Sequence, residues 1–223
     1  RKRTVPLSAD SLFSLNHCPV PQGFRGLAYP WEILPQIPTL LQQLVPSLPE
    51  DYDQIAPNVW VGRGTVIADT ARFTGPAVIG YDCEIRPGAY IRGNVIIGHG
   101  AVIGNSTEVK QAILFDQVQA PHFNYIGDSV LGFKAHLGAG VILSNLKSNK
   151  ESVTVHYGEE VLETGLKKFG GLLADGVEVG CNAVLNPGTI VGRDSIIYPL
   201  SSVRGYVPAE SIYKGSGVIV PRR

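Results

Sequence analysis

Few residues of this 223-residue chain have types and spacing that could do chemistry. The five histidines are His17, His99, His122, His136 and His156, and no two stand close enough in sequence to form a closely spaced ligand pair. Zinc needs three protein ligands converging on one point, so no metal site is expected. The three cysteines, Cys18, Cys83 and Cys181, are far apart, odd in number and without a Cys-x-x-Cys pair. They support neither a disulfide framework nor a thiolate zinc site, and a reducing, cytoplasmic setting is expected. Imidazole titrates close to neutral pH and so can move protons. The cations Arg86, Lys110, Lys147 and Lys150 are of the type that holds a phosphate.

Bulk charge removes one class of partner. The chain has 19 Lys and Arg against 19 Asp and Glu, so neither nucleic acid nor an anionic membrane is suggested. No apolar run reaches the length of a membrane span, and the first 30 residues lack the apolar core of a signal peptide. The chain contains no methionine, even at position 1, as a fragment of a longer protein would. Charged residues make up only 17%, while 26 glycines and 16 prolines imply a chain that turns often.

A short repeat accounts for those turns. An aliphatic residue or Phe stands at Ile55, Val61, Ile67, Phe73, Ile79, Ile85, Ile91, Ile97, Ile103 and Val109, every sixth position. The register slips by one residue to Leu114, resumes at Ala120 and Ile126, slips again to Leu131, then continues through Leu137 and Leu143. It returns at Leu173, Val179, Leu185, Val191, Ile197 and Val203. Amphipathic helices show spacings of three and four, and half-buried strands a period of two, so neither dominates. Short strands with a corner every sixth residue fit, three hexads making one coil of a parallel β-helix whose aliphatic residues point inward. Cys83 takes a small inward position in this register, whereas Cys181 follows Gly180 and is placed to face outward.

The repeat divides the chain into 1–50, a helical cap or connector; 51–207, the β-helix; and 208–223, a tail. Within 31–45 the apolar spacing predicts a short helix after Pro35 and Pro38, covering the open end of the solenoid. Residues 144–172 leave the hexad pattern, and an excursion of that length from a regular scaffold is usually functional. The alternation in SVTVHY and the Val161-Leu162 pair favour an ordered hairpin.

The stretch GNSTEVKQAILFDQVQAPHFNYIGDSVLGFKAHLGAGVILSNLKSNK, from Gly104, resembles the acetyltransferase half of the bacterial bifunctional enzymes that make UDP-N-acetylglucosamine. TGLKKFGGLLADGVEVGCNAVLNPGTIVG is similar to their archaeal counterparts, and the resemblance covers roughly 55–207. It implies a left-handed β-helix, an acetyl-CoA-dependent N-acetyltransferase acting on an amino-sugar phosphate, and a homotrimer with sites between subunits. His122 falls on the family's general base. Arg86, Lys110 and Lys150 fall on cations that hold the sugar phosphate, with Lys147 a substitute for the last. Tyr125 and Asn145 match sugar-side contacts, and Ala139 and Cys181 lie where the family grips acetyl-CoA. Lys147, Lys150 and the excursion are then expected to reach an adjacent subunit.

The register supports part of this on its own. With both slips allowed for, His122 and Ala139 occupy the same hexad position on adjacent coils, and Asn105 the equivalent place one coil below. Asn105 or Glu108 is therefore expected to orient the imidazole. Where the family has Asn before GAG, this chain has His136, a substrate contact that puts acceptor identity in question. The Gly-rich signature of the nucleotidylyltransferase half is absent, so that activity is not expected here, and a separate nucleotidyltransferase is a possible partner. Two alternatives stay open: an acyltransferase with another acceptor, and a non-catalytic β-helix that binds or scaffolds.

Overall fold

A computed structural model describes residues 7–223. From Val59 onward the chain winds into stacked coils whose strands pair in parallel on three faces. In chain order, the first face carries Ala77–Ile79, Val95–Ile97, Gly171–Leu173 and Thr189–Val191. The second carries Glu84–Ile85, Val102–Asn105, Gln119–His122, His136–Leu137 and Glu178–Val179. The third carries Tyr90–Ile91, Ile142–Leu143 and Val184–Leu185. Hexad residues from Ile79 to Val203 fill the interior, and Cys83 lies among them with Sγ 3.2 Å from the Gly98 carbonyl oxygen. Burial pushes the Cys83 thiol up, as befits a core residue.

The two slips in the repeat have a local cause. In the coil below them the corner from third to first face uses Arg92, Gly93 and Asn94, the last two at positive φ. The next two coils turn with one left-handed residue each, Gln111 at φ 46° and Asp128 at φ 49°. One residue is saved, and the strand does not break. Glu108–Leu114 and Tyr125–Leu131 run through the corner and pair with each other along their whole length, joining first and third faces into one sheet.

The N-terminal segment does not cover the open end of the solenoid. It runs along the first face, from a helix at Ala9–Leu12 through turns to 3-10 helix Pro30–Gln36 and α-helix Ile37–Leu44. The reason lies in the strands beneath it. Val78, Ile96, Ile113, Val130, Leu172 and Ile190 point outward between inward neighbours, and all are buried under this segment's apolar residues. An aliphatic column of that length needs a cover, which the segment supplies. Phe13 and Phe24 pack on Phe115 with ring centroids 5.1 and 6.2 Å apart. Polar ties fix its path: Ser14 N–H donates to Asp175 at 2.7 Å, Arg193 donates to the Ser11 carbonyl at 3.0 Å, and Gln111 donates to the Leu34 carbonyl at 2.7 Å. The first coil is left half-open, with Ile67 and Phe73 only partly buried.

Both ends of the repeat also differ from expectation. Ile55 is 43% exposed, because Tyr52–Ala56 pairs antiparallel with Val59–Gly62 through the turn at Pro57 and Asn58 and so forms a hairpin, not a coil. Residues 208–223 are not a trailing tail: Ser211–Tyr213 continues the second face in parallel, and Ile219–Pro221 folds back antiparallel on it. The excursion does contain a hairpin, Thr154–Tyr157 against Glu160–Glu163. It is held on this chain's own later coils, with Val153 and Val155 buried and the Tyr157 ring 5.2 Å from that of Tyr206. Among the described residues no helix is long and apolar enough to cross a membrane.

Candidate active site

The corner between second and third faces carries the proposed base. His122 pairs with Asn105 one coil below, Gly140 N–H donates to the His122 carbonyl at 3.0 Å, and Asn182 N–H donates to the Ala139 carbonyl at 2.8 Å. Asn105, His122, Ala139 and Cys181 therefore form one column on four successive coils, about 4.8 Å apart. His122 and Cys181 are exposed and Ala139 half-buried, so the column is open to solvent.

The imidazole of His122 has no hydrogen-bond partner among the described residues. Neither residue expected to orient it does so: Asn105 Oδ1 accepts from Ser106 Oγ at 2.7 Å, and Glu108 pairs with Arg92 at 3.3 Å. Glu108 belongs to the third face, where its strand neighbour is Tyr125, and this separates it from the corner. Beside His122, Phe123 has φ 50° and is 57% exposed, an apolar surface at the mouth of the column that no sequence motif marked.

Gly104 makes this corner possible. A Cβ there would fall on the backbone carbon and oxygen of Pro121, the residue before His122. Gly104→Ala is expected to cost about 1–3 kcal/mol and to displace Pro121 and His122. Denaturant unfolding alongside an assay would show the activity falling further than the stability alone accounts for.

Farther along the same coil, the third face carries a polar cluster. Tyr125 pairs with Glu108, and Lys110 with Gly127, in the shared register of the two long strands. Asp128, at the shortened corner, accepts at one oxygen, Oδ2, from Lys110 Nζ at 3.1 Å and from Asn145 Nδ2 at 2.6 Å. Asn145 Nδ2 also approaches Tyr125 Oη at 3.2 Å. Burial, and then the Glu108 carboxylate, raise the Tyr125 phenol above its ordinary pKa, so it remains an O–H donor at neutral pH. Asp128 stands in the quoted motif as the residue after Gly127, but a role for it becomes visible only when Lys110 and Asn145 are seen to converge on it.

The remaining candidates lie apart. Arg86 sits two coils below His122, about 10 Å along the axis, and is paired with Glu84 at 3.0 Å. Lys147 lies 3.8 Å from Glu151, and Lys150 is the one of the four expected phosphate-holding cations without a carboxylate partner among the described residues. His136 points outward from the middle of the second face, its Nδ1 2.7 Å from a Glu178 carboxylate oxygen. It shares a polar depression with Gln117, Gln119 and Lys134, and is not on the third face with Tyr125 and Asn145.

Sequence comparison bears on what such a surface does. Residues 73–164 match the family model of the GMPPB C-terminal domain. The bifunctional protein GlmU of Methanococcus vannielii is 30% identical over 204 residues, covering 90% of this chain and 49% of the relative. The chain is similar to the acetyltransferase half of the GlmU proteins. A bifunctional sugar-1-phosphate nucleotidylyltransferase/acetyltransferase of Sulfurisphaera tokodaii is also 30% identical, over 182 residues, covering 79% of this chain and 45% of the relative. The chain thus spans about half the length of the curated relatives it matches. Among solved structures, the D94N mutant of the N-acyltransferase AntD from Bacillus cereus, in complex with dTDP and coenzyme A, aligns with TM-score 0.43 and 17% identity over 74% of this chain and 82% of that one.

Proposed function

We propose that this chain transfers the acetyl group of acetyl-CoA to the amino group of a hexosamine phosphate, with glucosamine-1-phosphate as reference acceptor. The observation that carries this reading is the open column of His122 and Ala139 on adjacent coils, with a polar cluster farther along the coil of His122. A donor lying along Ala139 and Cys181 would bring its thioester beside the imidazole, as transfer between two bound substrates requires. His122 takes the proton from the attacking nitrogen as the new C–N bond forms and the C–S bond breaks, and the departing thiolate is protonated. Tyr125, Asn145 and Lys110 are assigned to the acceptor, whereas Arg86 and His136, paired with Glu84 and Glu178 away from that cluster, are left out of it. Lys150, with Lys147 near it, supplies the free positive charge for its phosphate.

The active unit in this reading is a cytoplasmic homotrimer with sites between neighbouring subunits, and a separate nucleotidyltransferase consumes the product. The direct test follows free thiol release from acetyl-CoA with a thiol-reactive dye. Release that depends on glucosamine-1-phosphate is expected; release indifferent to any amino sugar would remove the reading. The pairing of His136 with Glu178, away from the Tyr125 cluster, favours a second reading in which the acceptor is a different amine or a hydroxyl. A screen of amino-sugar acceptors separates the two.

A further inference from the structure

The corner between second and third faces turns on one left-handed residue per coil. Ser106, Phe123, Gly140, Asn182 and Leu200 stand there with φ of 52°, 50°, 76°, 56° and 61°. Each donates its N–H to a carbonyl one coil below, at 2.8 to 3.2 Å. Glycine and asparagine accept this conformation readily, whereas a bulky side chain is strained in it. Phe123 is therefore doubly unfavourable, with a strained backbone and a side chain left 57% exposed. The scaffold requires neither, since Ser106 and Gly140 make the same turn on the coils before and after it. Strain kept at one corner of a regular scaffold points to function.

What Phe123 adjoins is the proposed base. His122 is exposed, so an imidazole able to deprotonate an amine is equally able to activate water. Water attack on the thioester carbonyl would form a C–O bond and break the C–S bond, giving acetate and free thiol, with the water's proton passing through the imidazole to the departing sulfur. Bulk water far outnumbers any acceptor, so transfer requires that it be kept from the bound thioester. The rest of the column offers only small or polar groups for this, Asn105, Ala139 and Cys181. Of the large apolar side chains left exposed among the described residues, Phe123 is the one next to His122. Gly140, one coil on at the same corner, adds no side chain between Phe123 and a thioester lying along Ala139.

We propose that Phe123 covers the thioester against water, so that the acetyl group passes to the acceptor amine and not to solvent. The side chain takes no part in proton transfer; it positions and shields. This deepens the acetyl-transfer reading and rests on it. Leu200 repeats the strained geometry three coils on, about 14 Å away along the axis, too far to touch the same thioester.

The test compares thiol released with acetylated amine formed, using the full chain, acetyl-CoA and glucosamine-1-phosphate. Phe123→Asn suits the left-handed turn and removes the cover, so its urea midpoint should not fall. Its thiol release without acceptor should rise on the order of tenfold, the factor that matches losing apolar contact with about half a phenyl ring. Product per thiol should drop below one in that variant, and Phe123→Leu, which keeps an apolar cover, should restore it. Leu200→Asn relieves the same strain and should leave the ratio at one. The proposal is overturned if Phe123→Asn stays fully coupled, if release and product fall together at an unchanged ratio, or if Leu200→Asn uncouples as much. Should Phe123→Asn not fold, Phe123→Gly gives the same comparison. An unaltered protein that releases thiol as fast without acceptor as with it would remove the acetyl-transfer reading and the proposal together; a coupled unaltered protein with a coupled Phe123→Asn removes the proposal alone.

Discussion

Acetyl transfer by the His122→Ala variant is expected to fall by about 10²–10⁴-fold, the range a positioned general base contributes. Acetyl-CoA binding should be unchanged, since the donor's proposed contacts, Ala139 and Cys181, lie on later coils of the same column. The geometry adds a second expectation. His122 is exposed and has no orienting partner among the described residues, so its removal leaves an open corner that a small solute can enter. Free imidazole should restore part of the activity of the alanine variant, an effect that a misfolded variant would not show. Undiminished thiol release by His122→Ala would end the mechanism. A large fall without rescue, but with weakened coenzyme binding, would move the residue from proton transfer to donor binding.

Trp31→Ala should be the most damaging substitution to stability outside the solenoid itself. Trp31 is 1% exposed, stacks on Tyr29 at 4.4 Å, and lies 6.1 Å from the Phe169 ring at the returning end of the excursion. Emptying a buried indole site typically costs about 3–5 kcal/mol, and here it loosens three parts of the chain together: the N-terminal segment, the first face and residue 169. Urea unfolding should show the midpoint moving down by that amount. Hydrogen exchange in Thr154–Tyr157 should accelerate in the same variant. A midpoint that stays in place would mean the segment does not contribute to the folded unit.

The coil architecture was legible because each inward position tolerates only an apolar side chain, so Ile79, Ile85 and Ile91 announce a corner every sixth residue before any contact is known. The hairpin in the excursion was legible for the same kind of reason, since SVTVHY alternates. The route of the N-terminal segment was not. Its signal is the apolar middle residue of AVI, VII and AIL, and an outward aliphatic on a short strand shows only that something covers it. What covers Ile113 comes from the far end of the sequence. The pairing of Arg86 with Glu84 was readable, because residues two apart on a strand share a side. The Lys110–Asp128–Asn145 convergence was not, since it depends on the shortened corners that bring three coils into line.

The N-terminal segment also changes what kind of object the solenoid is. A stack of coils that touch only their neighbours is quasi-one-dimensional, and such arrays can unravel from either end one unit at a time. Here one continuous strap packs on Val95–Ile97 and Glu108–Leu114, takes a hydrogen bond from Gln111, and is tied to Asp175 and Arg193 on later coils. Opening the later coils therefore also means breaking their ties to the strap. The array is converted into a single cooperative unit, and the corner bearing His122, at its middle, is the part farthest from any fraying end.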